Sequence, residues 1–186
     1  MKIGAITNSF GVQIDGGNLP DLVRDARDCG SKHIELRQSF LGDCETGTAD
    51  GWRPVIGKLR ALVDGFPDLS FNLAVALPCL SGNVDPKGEI FQQSLEAVKV
   101  VGGNFPHLRL VDPAPQAKVW ESPGDIPEEA LSIAFLAREA AVQDITLSVE
   151  NSGQSIGAIT MLVEECRKEL SDQEGKLLGV CPDPTN

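Results

Sequence analysis

Glu150 closes the run ITLSVEN, in which Thr146, Ser148 and Glu150 alternate with Leu147 and Val149. Successive side chains of a strand point to opposite faces, so this run predicts a strand with one apolar face, one polar face and a carboxylate at its end. A second carboxylate, Asp183, follows the run LLGVC in GVCPDPTN. Carboxylate oxygens from two neighbouring strand ends suit a hard divalent cation. Each acid also has a plainer reading: PDPTN is a turn sequence in its own right, and Glu150 can serve as a helix cap or an ion-pair acid. Four further residues are candidates for substrate binding: Arg37, Arg109, Asn151 and Asn186. The two arginines have the parity of the polar face on their own strands and can meet a carboxylate, phosphate or hydroxyl, or neutralise Glu35 and Asp112. The two asparagines can orient a carboxylate or cap a helix.

The elements that must position these residues repeat along the chain. β-like runs start at Lys2, Lys32, Leu69, His107, Ile145 and Leu177, at intervals of 30, 37, 38, 38 and 32 residues, the length of a strand–loop–helix–loop unit. Helical stripes lie between them. Leu19, Leu22, Val23 and Ala26 form the first, stopped at Gly30, and Val55, Ile56, Leu59, Leu62 and Val63 the second. Phe91, Leu95, Val98 and Val101 form the third, IPEEALSIAFLAREAAVQ carries the fourth behind Pro127, and Ile156, Ile159, Leu162, Val163 and Cys166 form the fifth. Strict alternation implies a parallel sheet.

A doubly wound sheet and a (β/α) barrel both satisfy that order. Central strands of a doubly wound sheet are apolar on both faces. Here His33, Glu35 and Arg37 alternate with Ile34 and Leu36, and His107 and Arg109 with Leu108 and Leu110. This pattern fits a barrel with a polar interior. No G-x-G-x-x-G follows the first strand, and no G-x-x-x-x-G-K-[ST] is present. A complete barrel has eight units in about 250 residues. The expectation is therefore an α/β chain of (β/α)8 TIM-barrel type, one domain over residues 1–186, C-terminally truncated after six units. A split barrel completed by another chain, or a homo-oligomer, is the alternative arrangement.

The net charge of −11, with no Lys/Arg-rich run, argues against a nucleic-acid partner. No apolar run is long enough for a membrane span or a signal peptide. Five widely spaced cysteines without a C-x-x-C read as reduced thiols, consistent with a cytoplasmic protein.

VEN at the end of strand five, followed by strand six running into GVCPDPTN, resembles the xylose isomerase-like barrel superfamily of sugar and sugar-phosphate isomerases and epimerases. GSKHIELRQ at strand two resembles that superfamily's Gly-x-x-x-Ile-Glu-Leu-Arg pattern. The resemblance implies a divalent metal (Mn, Mg, Co or Zn) held by a Glu after strand five, an Asp after strand six, a His after strand seven and a Glu after strand eight. Glu150 and Asp183 match the first two. The last two have no counterpart in these residues, which puts metal binding and turnover by this chain alone in question. The implied reaction in carbohydrate metabolism is isomerisation or epimerisation of a small sugar-like substrate through a metal-stabilised enediolate, with Glu150 as metal ligand and catalytic acid/base. A dehydratase or lyase acting on a polyol uses the same chemistry, and a non-catalytic or split barrel subunit is the reading outside enzymology. His33 and His107 sit at strand starts, away from the catalytic end, and read as structural. ALPCLSGN after strand three and the proline-rich segment carrying Trp120 after strand four are the expected walls of the site, while Trp52 is expected to pack.

Overall fold

The computed structural model describes residues 3–14, 18–82, 84–114 and 118–183. They group into two compact units, Met1–Ala74 with Glu89–Pro106, and Val75–Gly88 with His107–Asn186. Six parallel strands alternate with helices in the βα order predicted above.

In the first unit, β1 (Gly4–Ile6), β2 (His33–Arg37) and β3 (Ser70–Ala76) are parallel neighbours in that order. The last two residues of β3, Val75 and Ala76, belong to the second unit. Helix α1 (Leu19–Asp28) starts with Pro20 in its first turn and buries Leu19 and Val23; Gly30 then turns the chain at φ 103°. Helix α2 (Ile56–Gly65) buries Leu59 and Leu62, and α3 (Glu89–Val101) buries Phe91, Leu95, Val98 and Val101. Each such side chain, fully removed from water, contributes about 1.5–3 kcal/mol before entropy is charged against it. Gly102 ends α3 where a Cβ would stand 2.4 Å from the Cα of Pro106, so only glycine lets the chain pass.

The stretch between β2 and α2 holds structure that periodicity does not announce. Glu45–Thr46 and Arg53–Pro54 pair as a short antiparallel ribbon. The Glu45 carboxylate accepts from the Ser39 amide (2.9 Å), the Leu41 amide (2.8 Å) and the Trp52 indole N–H (2.5 Å). Trp52 is fully buried, as expected of a packing residue.

In the second unit, β4 (His107–Val111), β5 (Thr146–Glu150) and β6 (Leu178–Cys181) are parallel neighbours. The fourth helical segment, read from sequence as continuous, divides at Ser132 into α4 (Glu128–Leu131) and α5 (Ile133–Ala141). Ser132 keeps helical angles, but its amide bonds three residues back, to Glu129, and the tighter turn shifts the ladder. Helix α6 (Ile156–Lys168) is capped by Ser155, whose Oγ accepts from the Ala158 amide, and buries Ile159, Leu162, Val163 and Cys166. Helix α7 (Asp172–Lys176) follows, with a reciprocal cap between Ser171 and Glu174. Among the described residues, no helix is long and apolar enough to cross a membrane.

Candidate functional site

The polar strand faces are knit together by side-chain bonds. In the first unit, Asn72 donates to Glu35 Oε2 (2.8 Å), which fixes its amide so that Oδ1 accepts from His33 Nε2 (2.7 Å); His33 Nδ1 lies 2.9 Å from Ser70 Oγ. Arg37 lies further along the same strand, its amide donating to the buried Thr7 Oγ1 (2.9 Å).

In the second unit the described candidates meet in two pairs, Arg109 with Glu150 and Asn151 with the backbone of Asp183. Arg109 is level with Ser148 in the β4–β5 register, yet its guanidinium donates to Glu150, two residues further along. His107 makes the same step, from its register partner Thr146 to Ser148 Oγ at 2.7 Å. Between β5 and β6 Glu150 is level with Cys181, and two residues further stands Asp183. One diagonal of backbone positions therefore runs from Arg109, in the middle of β4, through Glu150 at the end of β5 to Asp183, two residues past β6. The pair Arg109–Glu150 is buried, and Ser152 Oγ stands 3.5 Å from the other Glu150 oxygen.

Asn151, 1% exposed, fixes the far end of this diagonal. Its Nδ2 donates to the Asp183 carbonyl (3.1 Å) and its Oδ1 accepts from the Asp183 amide (2.7 Å). The same Nδ2 reaches the Gln154 carbonyl (3.3 Å). Asn186 lies outside the described residues.

Two further residues shape the surroundings: Gln154, missed in the sequence, and Asp112, read there only as a charge for an arginine to neutralise. Gln154 accepts from the Trp120 amide (3.1 Å) and donates to the Lys118 carbonyl (2.6 Å), tying the segment after β4 to the turn after β5. Asp112 accepts from the amides of Leu80 (2.6 Å), Ser81 (3.0 Å) and Ala114 (2.8 Å), and from the Ser81 hydroxyl (3.0 Å). It thereby holds the segment after β3, the expected wall of the site. An acid at a strand end followed by proline, VDP, was the available signal. Cys79, fully buried in that wall, has its thiol pushed well above the ordinary range by burial and then by the charges of Asp112 and Glu150. It stays protonated and is not a nucleophile.

Glu150 and Asp183 each carry hard oxygens, the donor type that suits Mg²⁺ or Mn²⁺; the Glu150 carboxylate is paired with Arg109, and Asp183 meets Asn151 through its backbone. Among the described residues, no group of three or more His, Cys, Asp or Glu is arranged to hold a metal.

With this geometry in place, comparison with known proteins bears on the class of fold. No protein-family model matches the chain, and no curated protein matches it. It is similar to a solved structure of L-ribulose 3-epimerase, with a TM-score of 0.64 and 17% sequence identity, over 98% of this chain and 61% of that one. At this identity the likeness establishes the fold, a parallel (β/α) barrel type, of which this chain spans 61% of the other chain's length. The fold class expected from polar-faced, helix-alternating strands is the one observed.

Proposed function

We propose that this chain belongs to a metal-dependent sugar or sugar-phosphate isomerase or epimerase that moves a proton at the carbon beside a carbonyl. The observation that carries the reading is the buried carboxylate Glu150 at the C-terminal end of its strand, paired with Arg109 and followed by Asn151, which holds the backbone of Asp183. The structural likeness to an L-ribulose 3-epimerase supports the substrate class, a small polyhydroxylated carbonyl compound. A bound divalent ion, Mn, Mg, Co or Zn, supplies Lewis acidity toward the substrate's carbonyl oxygen.

In this reading Glu150 and Asp183 hold the ion, and Asn151 keeps Asp183 in place through its backbone. Glu150 takes the proton and returns it, its carboxylate oriented by Arg109 and Ser152. Arg37, Arg109, Asn151 and Asn186 are the proposed contacts to substrate hydroxyl or phosphate oxygens. The cysteine spacing supports a cytoplasmic setting.

The test is calorimetric Mn²⁺ titration of the purified chain beside Glu150→Gln. Binding that the variant lowers by tenfold or more is the expected outcome. A folded chain that takes up no Mn²⁺, or takes it up equally in both proteins, would remove Glu150 from the role. Exchange of the carbon-bound proton of a ketose in D₂O, followed by NMR, tests the chemistry separately.

A further inference from the structure

A cleft of about 360 Å³ lies in the first unit, between α1, α2 and the turn after β2. Small-molecule sites have volumes of roughly 300–1,000 Å³, so one ligand of modest size fills it. Its floor is apolar: Leu62 and Phe66 are buried, and the buried Cys44 thiol, pushed up to about 11 mainly by its burial, stays uncharged. Its walls are basic. Arg24 and Arg27, three residues apart on α1, face Lys58 of α2 across the cleft, against one acid in the described lining, Asp43. A chain of net charge −11 thus gathers three of its 16 cationic residues round one apolar floor.

The Arg27 guanidinium stands over the Phe66 ring, 5.4 Å from its centre, so the aromatic floor also steadies a cation at its edge. Each cation has an acid beside it: Arg24 pairs with Asp21 (2.5 Å), Arg27 with Asp28 (2.9 Å) and Lys58 with Asp43 (2.6 Å). All six side chains are open to water, and ion pairs so exposed are weak. Arg24 commits only Nη1 to Asp21, which leaves most of its five N–H donors for another acceptor. An anion arriving at the cleft therefore competes on favourable terms. We propose that this cleft binds a small amphipathic organic anion, its apolar body on Leu62 and Phe66 and its carboxylate or phosphate head held by Arg24, Arg27 and Lys58. Guanidinium groups suit either head, since both accept paired N–H bonds. Both halves of the ligand are needed: inorganic phosphate has no body for the floor, and an uncharged aromatic has no head for the cations. The assignment makes no use of Glu150 and is independent of the functional reading above.

The experiment is a ¹H–¹⁵N NMR titration of the full chain with four probes: 4-phenylbutyrate, phenyl phosphate, 4-phenylbutan-1-ol and inorganic phosphate. The expected result is saturable shifts at the amides of Arg27, Cys44, Leu62 and Phe66 with phenylbutyrate or phenyl phosphate, the tighter of the two identifying the head group. That ligand should bind fivefold or more tighter than phenylbutanol and inorganic phosphate. Its affinity should fall fivefold or more in Arg24→Gln and in Lys58→Gln, and stay within twofold of the parent in Arg60→Gln, which removes an exposed cation of α2 outside the lining. The spectra themselves establish that each variant is folded, and either lining variant alone decides the matter. No saturation by either organic anion, or shifts confined to other residues, overturns the site. Phenylbutanol binding as tightly as the better anion overturns the ionic half of the proposal, and inorganic phosphate binding as tightly overturns the apolar half. Unchanged affinity in the lining variants, or an equal loss in Arg60→Gln, removes the three cations from the role.

Discussion

Asn151 treats the backbone of Asp183 as a strand partner would, giving a donor to its carbonyl and an acceptor to its amide. Asn151 is 1% exposed, so removing its side chain opens a gap in a packed region and strips both Asp183 backbone groups of their partner. Asn151→Ala is therefore expected to cost about 1–3 kcal/mol, read as a lower urea midpoint at unchanged slope. On the proposed reading of Asp183 as a metal ligand, Mn²⁺ binding should weaken in the same variant, because the backbone that carries Asp183 loses its hold. Sequence parity alone placed Arg109 and Glu150 on polar strand faces, since the period of a strand is fixed. It did not reveal that they touch. That contact depends on a two-residue diagonal step between paired strands, which register and stagger create and a single strand does not encode. Asn151 was readable as a cap or a donor, whereas its hold on Asp183 requires knowing that β6 lies beside β5.

Secondary elements divide along the same line. The six strands and the long helices were legible because apolar periods of two and of about three and a half persist over several residues. The ribbon at Glu45–Thr46 and Arg53–Pro54 is too short to have a period, and Glu45 organises it through backbone and indole donors. Helix α7 is only five residues long, yet its start was written as Ser171-x-x-Glu174, a capping box that could have been used. The segment after β3 was expected to wall the site because it follows the C-terminal end of a strand. What fixes it is Asp112, which accepts from the Leu80 and Ser81 amides and the Ser81 hydroxyl of that segment and from the Ala114 amide. Asp112→Ala strips an acceptor from the buried Leu80 amide and its neighbours. Native-state hydrogen exchange at Leu80 and Ser81 should accelerate by tenfold or more, while the amide of Leu147 in β5 keeps its protection. Parallel acceleration in both places would mean that Asp112 supports the unit as a whole and not its loop.

At the scale of the whole molecule, each compact unit buries a thiol. None of the five cysteines, all of them described, forms a disulfide. Burial raises Cys44, in the first unit, to about 11 and Cys166, in the second, to about 12, against an ordinary value of 9.0. Below pH 9 these thiols are protonated in both folded and unfolded chains and add no pH dependence. Above it the unfolded chain releases protons that the native chain retains, so stability falls as pH rises from about 9 toward 11–12. The urea midpoint should drop between pH 8 and pH 10.5, and drop less in Cys44→Ala/Cys166→Ala when each protein is compared with itself. Identical drops would assign the alkaline loss to other groups.

The placement of the two tryptophans gives the two units separate optical signatures. Trp52 lies in the first unit and Trp120 in the second, 0% and 4% exposed, in a chain that contains no tyrosine. Ultraviolet-excited emission therefore arises from one shielded indole per unit, with no tyrosine background beneath it. Replacing either by phenylalanine leaves a chain whose fluorescence speaks for the other unit alone, so a pair of single-tryptophan proteins can time the melting of each half against its companion.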